Sequence, residues 1–325
     1  MNKSKLIATS AIATVMSATA AQAELSISGG MAGWFLTGDQ ITSVNRQWNT
    51  ESVNVTYSDT LDNGMGVSVT ANVGETGNTA SGWGGASGGD VNYTMTISSD
   101  MGSLSFGDQI ASAADRGDNI ISMSLQECCT WAATLPDGMG GANGQYHDGD
   151  NASGNHNEGI EYASPSLNGW TVRLSHMPTA AAASEGADDT NGASVSGSIG
   201  PVSVSAGMNS QGDNGTAGTG YDSTYGAASM GLGAMTISAG VFEGGGSRAD
   251  ATVLVVDMPI MGMSGKATYV DMDDTGANYD DSGYRLGLSK SMGAASFSVE
   301  YDNADTASGD AGEIETWRVG YALYF

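Results

Sequence analysis

The chain has 325 residues, of which 40% are hydrophobic, but 49 are Gly and only 5 are Phe. So few large apolar side chains argue against one water-soluble core in a chain of this length. Lys and Arg number 10 against 36 Asp and Glu, and the formal net charge of −26 excludes the basic surface needed to bind nucleic acid.

The first 23 residues have the pattern of a secretory signal peptide. Lys3 and Lys5 precede a short, mostly apolar run over residues 6–16, and residues 21–23 (Ala-Gln-Ala) form a small-x-small cleavage motif. The apolar run is shorter than the ~20 residues that a spanning helix needs. We therefore predict cleavage after this motif and a mature domain of residues 24–325. Loss of both lysines leaves 8 cations against 36 acids, a net charge of −28.

Beyond the signal peptide, apolar residues alternate with Ser, Thr, Gly and Asn in repeated runs of about ten residues. A period of two is the pattern of a β-strand with one apolar face, and the run length suits a tilted strand that crosses a membrane. The predicted fold class is an all-β, transmembrane antiparallel β-barrel of about 16 strands, with its apolar face turned to lipid. The runs include 53–57, 67–73, 91–97, 170–174, 202–206, 235–241, 284–288, 297–301 and 317–325.

The connections between these runs alternate between short turns and longer polar loops. Short turns such as 62–64 and 200–201 contain Gly beside Asn or Pro. One connection, from about Ile110 to His156, is far longer than usual loops, and its apolar segment Ile120–Leu125 needs a surface to pack on. In a wide barrel, that surface is the lumen wall. We therefore predict that this long third loop folds into the lumen and carries four constriction acids: Asp115, Asp118, Glu127 and Asp137.

Strand alternation also places the basic residues. Arg318 lies between Trp317 and Val319, which share the apolar face, so we expect its side chain in the lumen. Arg46 shares the parity of Asn54, which lies between the apolar residues Val53 and Val55. The inward placement of Arg46 therefore holds only if no register break separates it from Asn54. Opposed to the loop acids across water, such cations would create a transverse field that admits small polar solutes. The alternative is solvated charges near the rims. The predicted basic wall residues are Arg46, Arg173, Lys266, Arg285 and Arg318.

The sequence does not indicate catalysis or tight metal binding. Cys128 and Cys129 are neighbours, and a bridge between them would be strained, so we expect free thiols. The 3 His residues form no hydrolase pattern with Ser and an acid, so we predict no catalytic residue. Loosely bound calcium remains open, at residues 148–151 with Glu158 or at residues 271–274 with 280–281. Neither segment has EF-hand spacing, and we assign no cofactor and no metal site.

Several segments resemble the Gram-negative general diffusion porins, in particular the alphaproteobacterial type. Val91–Asp108 is similar to the strand-turn-strand that precedes the family's inward-folded third loop, and Ala113–Arg116 to the start of that loop. Glu158–Pro165 and Gly169–Val172 resemble the strand pair that follows it. The ending matches the terminal-Phe pattern read by the barrel-assembly machinery, which implies an assembly signal at Tyr321, Leu323 and Phe325.

The resemblance implies a homotrimer in the outer membrane, with a constriction between the folded-in loop and basic wall residues. The implied partners are outer-membrane lipid, lipopolysaccharide, the barrel-assembly machinery, and small hydrophilic solutes and ions. We predict a water-filled, cation-preferring channel for passive diffusion. One alternative is an outer-membrane barrel that serves as an adhesin or structural anchor without an open pore, but the long third loop favours a channel. The other is an acidic, calcium-binding β-solenoid, for which tandem Gly-Gly-x-Gly-x-Asp repeats are missing.

Overall fold

A computed structural model of the chain describes residues 23–38, 41–77, 91–107, 110, 112–114, 159–178, 189–211, 221–244, 250–273, 280–306 and 312–325. Sixteen strands lie in these ranges: β1 (Glu24–Gly38), β2 (Ile41–Thr60), β3 (Gly66–Gly77), β4 (Val91–Ser99), β5 (Gly102–Gly107), β6 (Gly159–Ala163), β7 (Thr171–Met177), β8 (Thr190–Ile199), β9 (Val202–Gln211), β10 (Tyr221–Leu232), β11 (Met235–Glu243), β12 (Asp250–Ile260), β13 (Met263–Asp273), β14 (Asp280–Met292), β15 (Ala295–Thr306) and β16 (Gly312–Tyr324).

The strands form one closed antiparallel barrel. Each pairs with its neighbour in sequence, and β1 closes the sheet by pairing with β16 from Gly30↔Tyr324 to Gly38↔Thr316. Closure removes the unpaired edges that an open sheet exposes, which is the condition for strands to cross a hydrocarbon layer. The predicted fold class is thereby confirmed. Residues 1–22 of the predicted signal peptide lie outside the described residues, and within those residues no helix is long and apolar enough to span a membrane.

The two faces of the barrel wall have opposite polarity. On β16, the relative exposures of Trp317, Val319 and Leu323 are 48%, 48% and 43%, whereas those of Thr316 and Arg318 are 2% and 4%. Because alternate side chains of a strand lie on opposite faces, the exposed apolar row is the outer face and the covered polar row is the inner face. An apolar outer face around a polar interior fits a wall surrounded by lipid.

Tight turns lie at one rim of the barrel, and most of the longer connections, including the one between β5 and β6, lie at the other. The turn between β12 and β13 consists of Met261 (φ 53°) and Gly262 (φ 75°), flanked by the pair Ile260↔Met263. Two consecutive positive φ angles define the type I′ turn, whose twist matches that of the strands. The predicted short turns at 62–64 and 200–201 lie at this same rim, between β2 and β3 and between β8 and β9.

Aromatic side chains cluster on the outer face of β14–β16. The rings of Tyr301 and Trp317 lie 4.9 Å apart between centroids, and those of Tyr284 and Tyr301 lie 6.1 Å apart. Trp317 and Tyr284 are 48% and 42% exposed, so their rings face the surroundings of the barrel. Amphipathic rings of this kind are enriched where the hydrocarbon layer meets the headgroups.

Candidate functional site

Four of the predicted wall cations lie on the inner face of their strands. Arg285 is 7% exposed, while its neighbours Tyr284 and Leu286 on the outer face are 42% and 49% exposed. Lys266 and Arg318 are likewise buried on the inner face, at 9% and 4%. The side chain of Arg173 is 32% exposed, and it lies on the same face as buried Ser175 and Met177. Their role in a pore stays a prediction.

A buried ion network connects β14, β15 and β16. One oxygen of Asp302 accepts hydrogen bonds from Nη2 and Nε of Arg318, at 2.6 and 2.9 Å, and the other accepts from Nε of Arg285. Arg318 Nη1 also lies 3.7 Å from Glu300 Oε2. Both acids are 1% exposed. Charge-assisted bonds of this type are the stronger class of hydrogen bond, and they hold both guanidinium groups against the wall.

Strand register explains how these four residues meet. Arg285 pairs with Asp302 across β14 and β15, and Glu300 pairs with Arg318 across β15 and β16. Glu300 and Asp302 are two residues apart on one strand, so both side chains lie on the inner face. The ion network therefore lies beside the closing pair of strands, β16 and β1.

The other two described wall cations also contact acids of an adjacent strand. Arg173 Nη1 lies 2.6 Å from Glu161 Oε1, and Lys266 Nζ lies 3.2 Å from Asp257 Oδ1. Sequence reasoning missed all four wall acids because it considered only carboxylates of the long loop. The same alternation would have found them, since Glu161 lies between Ile160 and Tyr162 as Arg318 lies between Trp317 and Val319.

The structure leaves the four loop acids and Arg46 unassigned, for two different reasons. Asp115, Asp118, Glu127 and Asp137 lie outside the described residues, as do Cys128 and Cys129. In the backbone register of β1 and β2, Trp34 pairs with Trp48 but Phe35 pairs with Arg46, so the register shifts between them. This shift is the break on which the inward placement of Arg46 depended. The alternation counted from Asn54 therefore no longer places Arg46 on the inner face, and the position of Arg46 in the basic wall stays a prediction.

The described start of the long connection lies against the inner face of β7–β9. Ala113 N donates to Ser175 Oγ at 2.8 Å, Ser194 Oγ donates to Ala113 O at 2.5 Å, and Ser112 Oγ donates to Asn209 Oδ1. Ser112, Ala113 and Ala114 are all completely buried. Residues 112–114 therefore lie against the inner face of the barrel wall. The inward path of the rest of the loop stays a prediction.

A second part of the inner wall, on β2–β5, carries no charge among its described side chains. Three pairs join adjacent strands: Asn72 Nδ2 donates to Asn54 Oδ1 at 2.7 Å, the Oγ1 atoms of Thr56 and Thr70 are 2.9 Å apart, and Thr96 Oγ1 is 2.8 Å from Ser105 Oγ. These hydroxyl and amide groups keep further hydrogen-bonding capacity for water. The inner wall thus has an ionic part and a neutral polar part.

The predicted assembly signal is integrated into the barrel closure. Phe325 and Gly29 exchange two backbone hydrogen bonds, each 3.0 Å long. The side chains of Leu323 and Phe325 are 43% and 70% exposed, and the ring of Tyr321 lies 6.4 Å from that of Phe35 on β1. The last residues therefore present an apolar outer row while they complete the sheet. Recognition of this row by the assembly machinery stays a prediction.

Among the described residues, no group of three or more His, Cys, Asp or Glu side chains is arranged to hold a metal ion. Of the predicted calcium candidates, residues 148–151, Glu158 and Asp274 lie outside the described part. Backbone register does set Asp250, Asp273 and Asp280 side by side at the long-loop rim. Loose calcium binding there stays a prediction.

A closed barrel with a polar inner wall and an apolar outer face is the architecture of an outer-membrane channel protein. The family model of the Gram-negative porins matches residues 8–323, and the chain belongs to this family. The resemblance stated from the sequence is confirmed. The protein is therefore an outer-membrane barrel that forms a diffusion channel.

Solved porin structures share this fold at low sequence identity. The anion-selective porin from Comamonas acidovorans is 16% identical with a TM-score of 0.69, over 94% of this chain and 100% of that one. Two mutants of the Rhodopseudomonas blastica porin are 13% and 14% identical, with TM-scores of 0.65 and 0.66, over 93% of this chain and 100% of theirs. At these identities the similarity shows the fold alone. A search of curated proteins finds no match.

Proposed function

We propose that the channel is water-filled, passes ions and small hydrophilic solutes down their gradients, and prefers cations. The observation that carries this proposal is the polar inner face of a closed barrel, lined by solvent-accessible hydroxyl and amide groups and by the partly exposed pairs Arg173–Glu161 and Lys266–Asp257. Water solvates such a wall, and solutes cross it without a bound state or an energy source. We propose no catalysed reaction and no cofactor for this channel.

The proposed cation preference follows from the distribution of charge. Each of the four described wall cations contacts a carboxylate of an adjacent strand, so these pairs contribute little net positive potential. The chain as a whole carries 26 more negative than positive charges. Such an excess concentrates cations at the channel mouths. We assign the main contribution at the constriction to Asp115, Asp118, Glu127 and Asp137.

Reversal potentials in planar bilayers test both parts of the proposal. Purified protein in a KCl gradient should give ion-conducting channels with the reversal-potential sign of a cation-selective pore. Selectivity should weaken with salt, since the Debye length falls from about 10 Å at 0.1 M to about 3 Å at 1 M. An anion-selective potential would contradict the cation preference, and the Comamonas porin, described as anion-selective, shows that porins of this fold include that outcome. Folded protein without conductance would favour the adhesin or anchor alternative.

We further propose that the chain assembles as a homotrimer in contact with outer-membrane lipid and lipopolysaccharide, after insertion by the barrel-assembly machinery. The apolar outer face, with side chains such as Leu254 (44% exposed) and Leu286 (49% exposed), needs lipid or another subunit to cover it. Extraction should therefore require detergent, and an oligomer should resist mild SDS until it is heated. A water-soluble monomer recovered from the periplasm would contradict this assembly.

A further inference from the structure

Solvent reaches the two parts of the inner wall unequally. From Asn54 to Ser105, every described inner-face side chain of β2–β5 is partly or fully exposed. The inner face of β9–β16 is covered at mid-strand, where it also carries large side chains such as Tyr225, Phe242 and Arg318. Six of its hydroxyl side chains are 5% exposed or less: Ser205, Ser223, Ser238, Thr268, Ser298 and Thr316.

The ion network lies in the covered part of the wall. Arg285, Arg318, Glu300 and Asp302 are 7%, 4%, 1% and 1% exposed. A solute that moves through water can touch only those groups that water itself reaches. These buried charges therefore do not line an aqueous path, although they lie on the inner face of the barrel.

The accessible wall of β2–β5 has its own chemistry. Its side chains are hydroxyls and amides, tied into cross-strand pairs that fix their positions, such as Asn54–Asn72 and Thr56–Thr70. A hydroxyl or amide in one such bond still has donor or acceptor capacity left. A permeating polar solute can therefore exchange hydrogen bonds with this wall as it exchanges them with water.

We propose that solutes pass along the inner face of β2–β4 and contact the uncharged side chains of this neutral wall. The wall residues assigned to this role are Asn54, Thr56, Thr70, Asn72, Thr94 and Thr96. The neutral wall discriminates among solutes by hydrogen bonding and size, and the ion network of β14–β16 stands outside the path. This inference rests on the proposed open channel.

Cysteine accessibility tests the path. In a background with Cys128→Ser and Cys129→Ser, the variants Thr70→Cys and Thr94→Cys place a thiol on the neutral wall. Ser298→Cys and Thr316→Cys are matched controls, because both are inner-face hydroxyl residues that are 2% exposed. Each folded variant is treated in a bilayer with a trimethylammonium-ethyl methanethiosulfonate reagent, and mass spectrometry measures the extent of modification.

The reagent should modify the neutral-wall thiols and lower single-channel conductance by a step on the order of one half, since it adds bulk and charge to the path. The control thiols should stay unmodified and their channels unchanged. Modification of the controls with loss of conductance, or unreactive neutral-wall thiols in a conducting channel, would overturn the inference. Folded protein that conducts no ions before treatment would overturn the proposed open channel instead.

Discussion

Asp302 and Arg318 lie on adjacent strands, and a single carboxylate oxygen of Asp302 accepts two hydrogen bonds from Arg318, at 2.6 and 2.9 Å. The other oxygen accepts from Arg285. All three side chains are buried. Glu300, whose Oε2 lies 3.7 Å from Arg318 Nη1, supplies the second negative charge. Asp302 is the central residue of the ion network because it bonds to both guanidinium groups.

Replacement of this acid should destabilise the barrel. Asp302→Asn leaves two buried guanidinium groups without their shared carboxylate, and breaking a buried pair in this way typically costs about 3–5 kcal/mol. Asp100→Asn is the control for the same substitution, because this carboxylate lies exposed in the turn between β4 and β5. We expect the control to cost less than about 1 kcal/mol. Urea unfolding in detergent measures both, and equal losses would contradict the assigned role of Asp302.

A single methyl group added at Gly192 should displace residues 112–114, the described start of the long connection. A Cβ at Gly192 would overlap Ser112 Oγ and Ser175 Oγ and lie 2.9 Å from Ala113 N. Gly192→Ala should therefore loosen the attachment of residues 112–114 to the wall and speed trypsin cleavage after Arg116, identified by mass spectrometry. Gly231→Ala is the control, since a Cβ there has nothing within 4 Å. Equal cleavage rates in the two variants would show that these contacts do not hold the connection.

Phe325 should contribute to assembly through both its side chain and its backbone. Phe325→Ser keeps the two backbone hydrogen bonds to Gly29 but removes the apolar ring, whereas deletion of the residue removes both. Each variant should lower the amount of heat-modifiable, folded barrel in the membrane without changing expression, and the deletion should lower it more. Quantitative immunoblots of unheated and heated samples measure this difference. Normal folded levels in both variants would contradict the assembly signal.

The four predicted loop acids should determine ion selectivity without affecting stability. Changing Asp115, Asp118 and Asp137 to Asn and Glu127 to Gln should shift the reversal potential toward anions, because fixed negative charge at the constriction is lost. The midpoint of urea unfolding should stay nearly constant, since solvated charges contribute little to folding. Asp100→Asn, in the short turn between β4 and β5, controls for charge loss at the opposite rim. An unchanged potential in the fourfold variant would place the constriction elsewhere.

The sequence by itself determined the class of fold and, within an unbroken strand, the face on which a residue lies. Alternation is a local property, since each Cβ in a strand points opposite to the one before it. Arg285 and Arg318 were therefore assigned to the inner face from their immediate neighbours alone. For Arg46 the rule gives no assignment beyond the register shift at Trp34 and Phe35, because one extra residue in a strand reverses the parity of everything beyond it.

Only the tertiary structure decided which inner-face residues meet and which of them water reaches. Glu300 and Arg318 become neighbours through the register of β15 with β16, which depends on pairing across the whole sheet and not on local spacing. The sequence predicted loop acids as partners for the wall cations, and the described contacts are with wall acids. Burial is equally non-local: Thr70 and Thr316 are both inner-face threonines, yet Thr70 is partly exposed and Thr316 is buried, because exposure depends on what the closed barrel places in front of each.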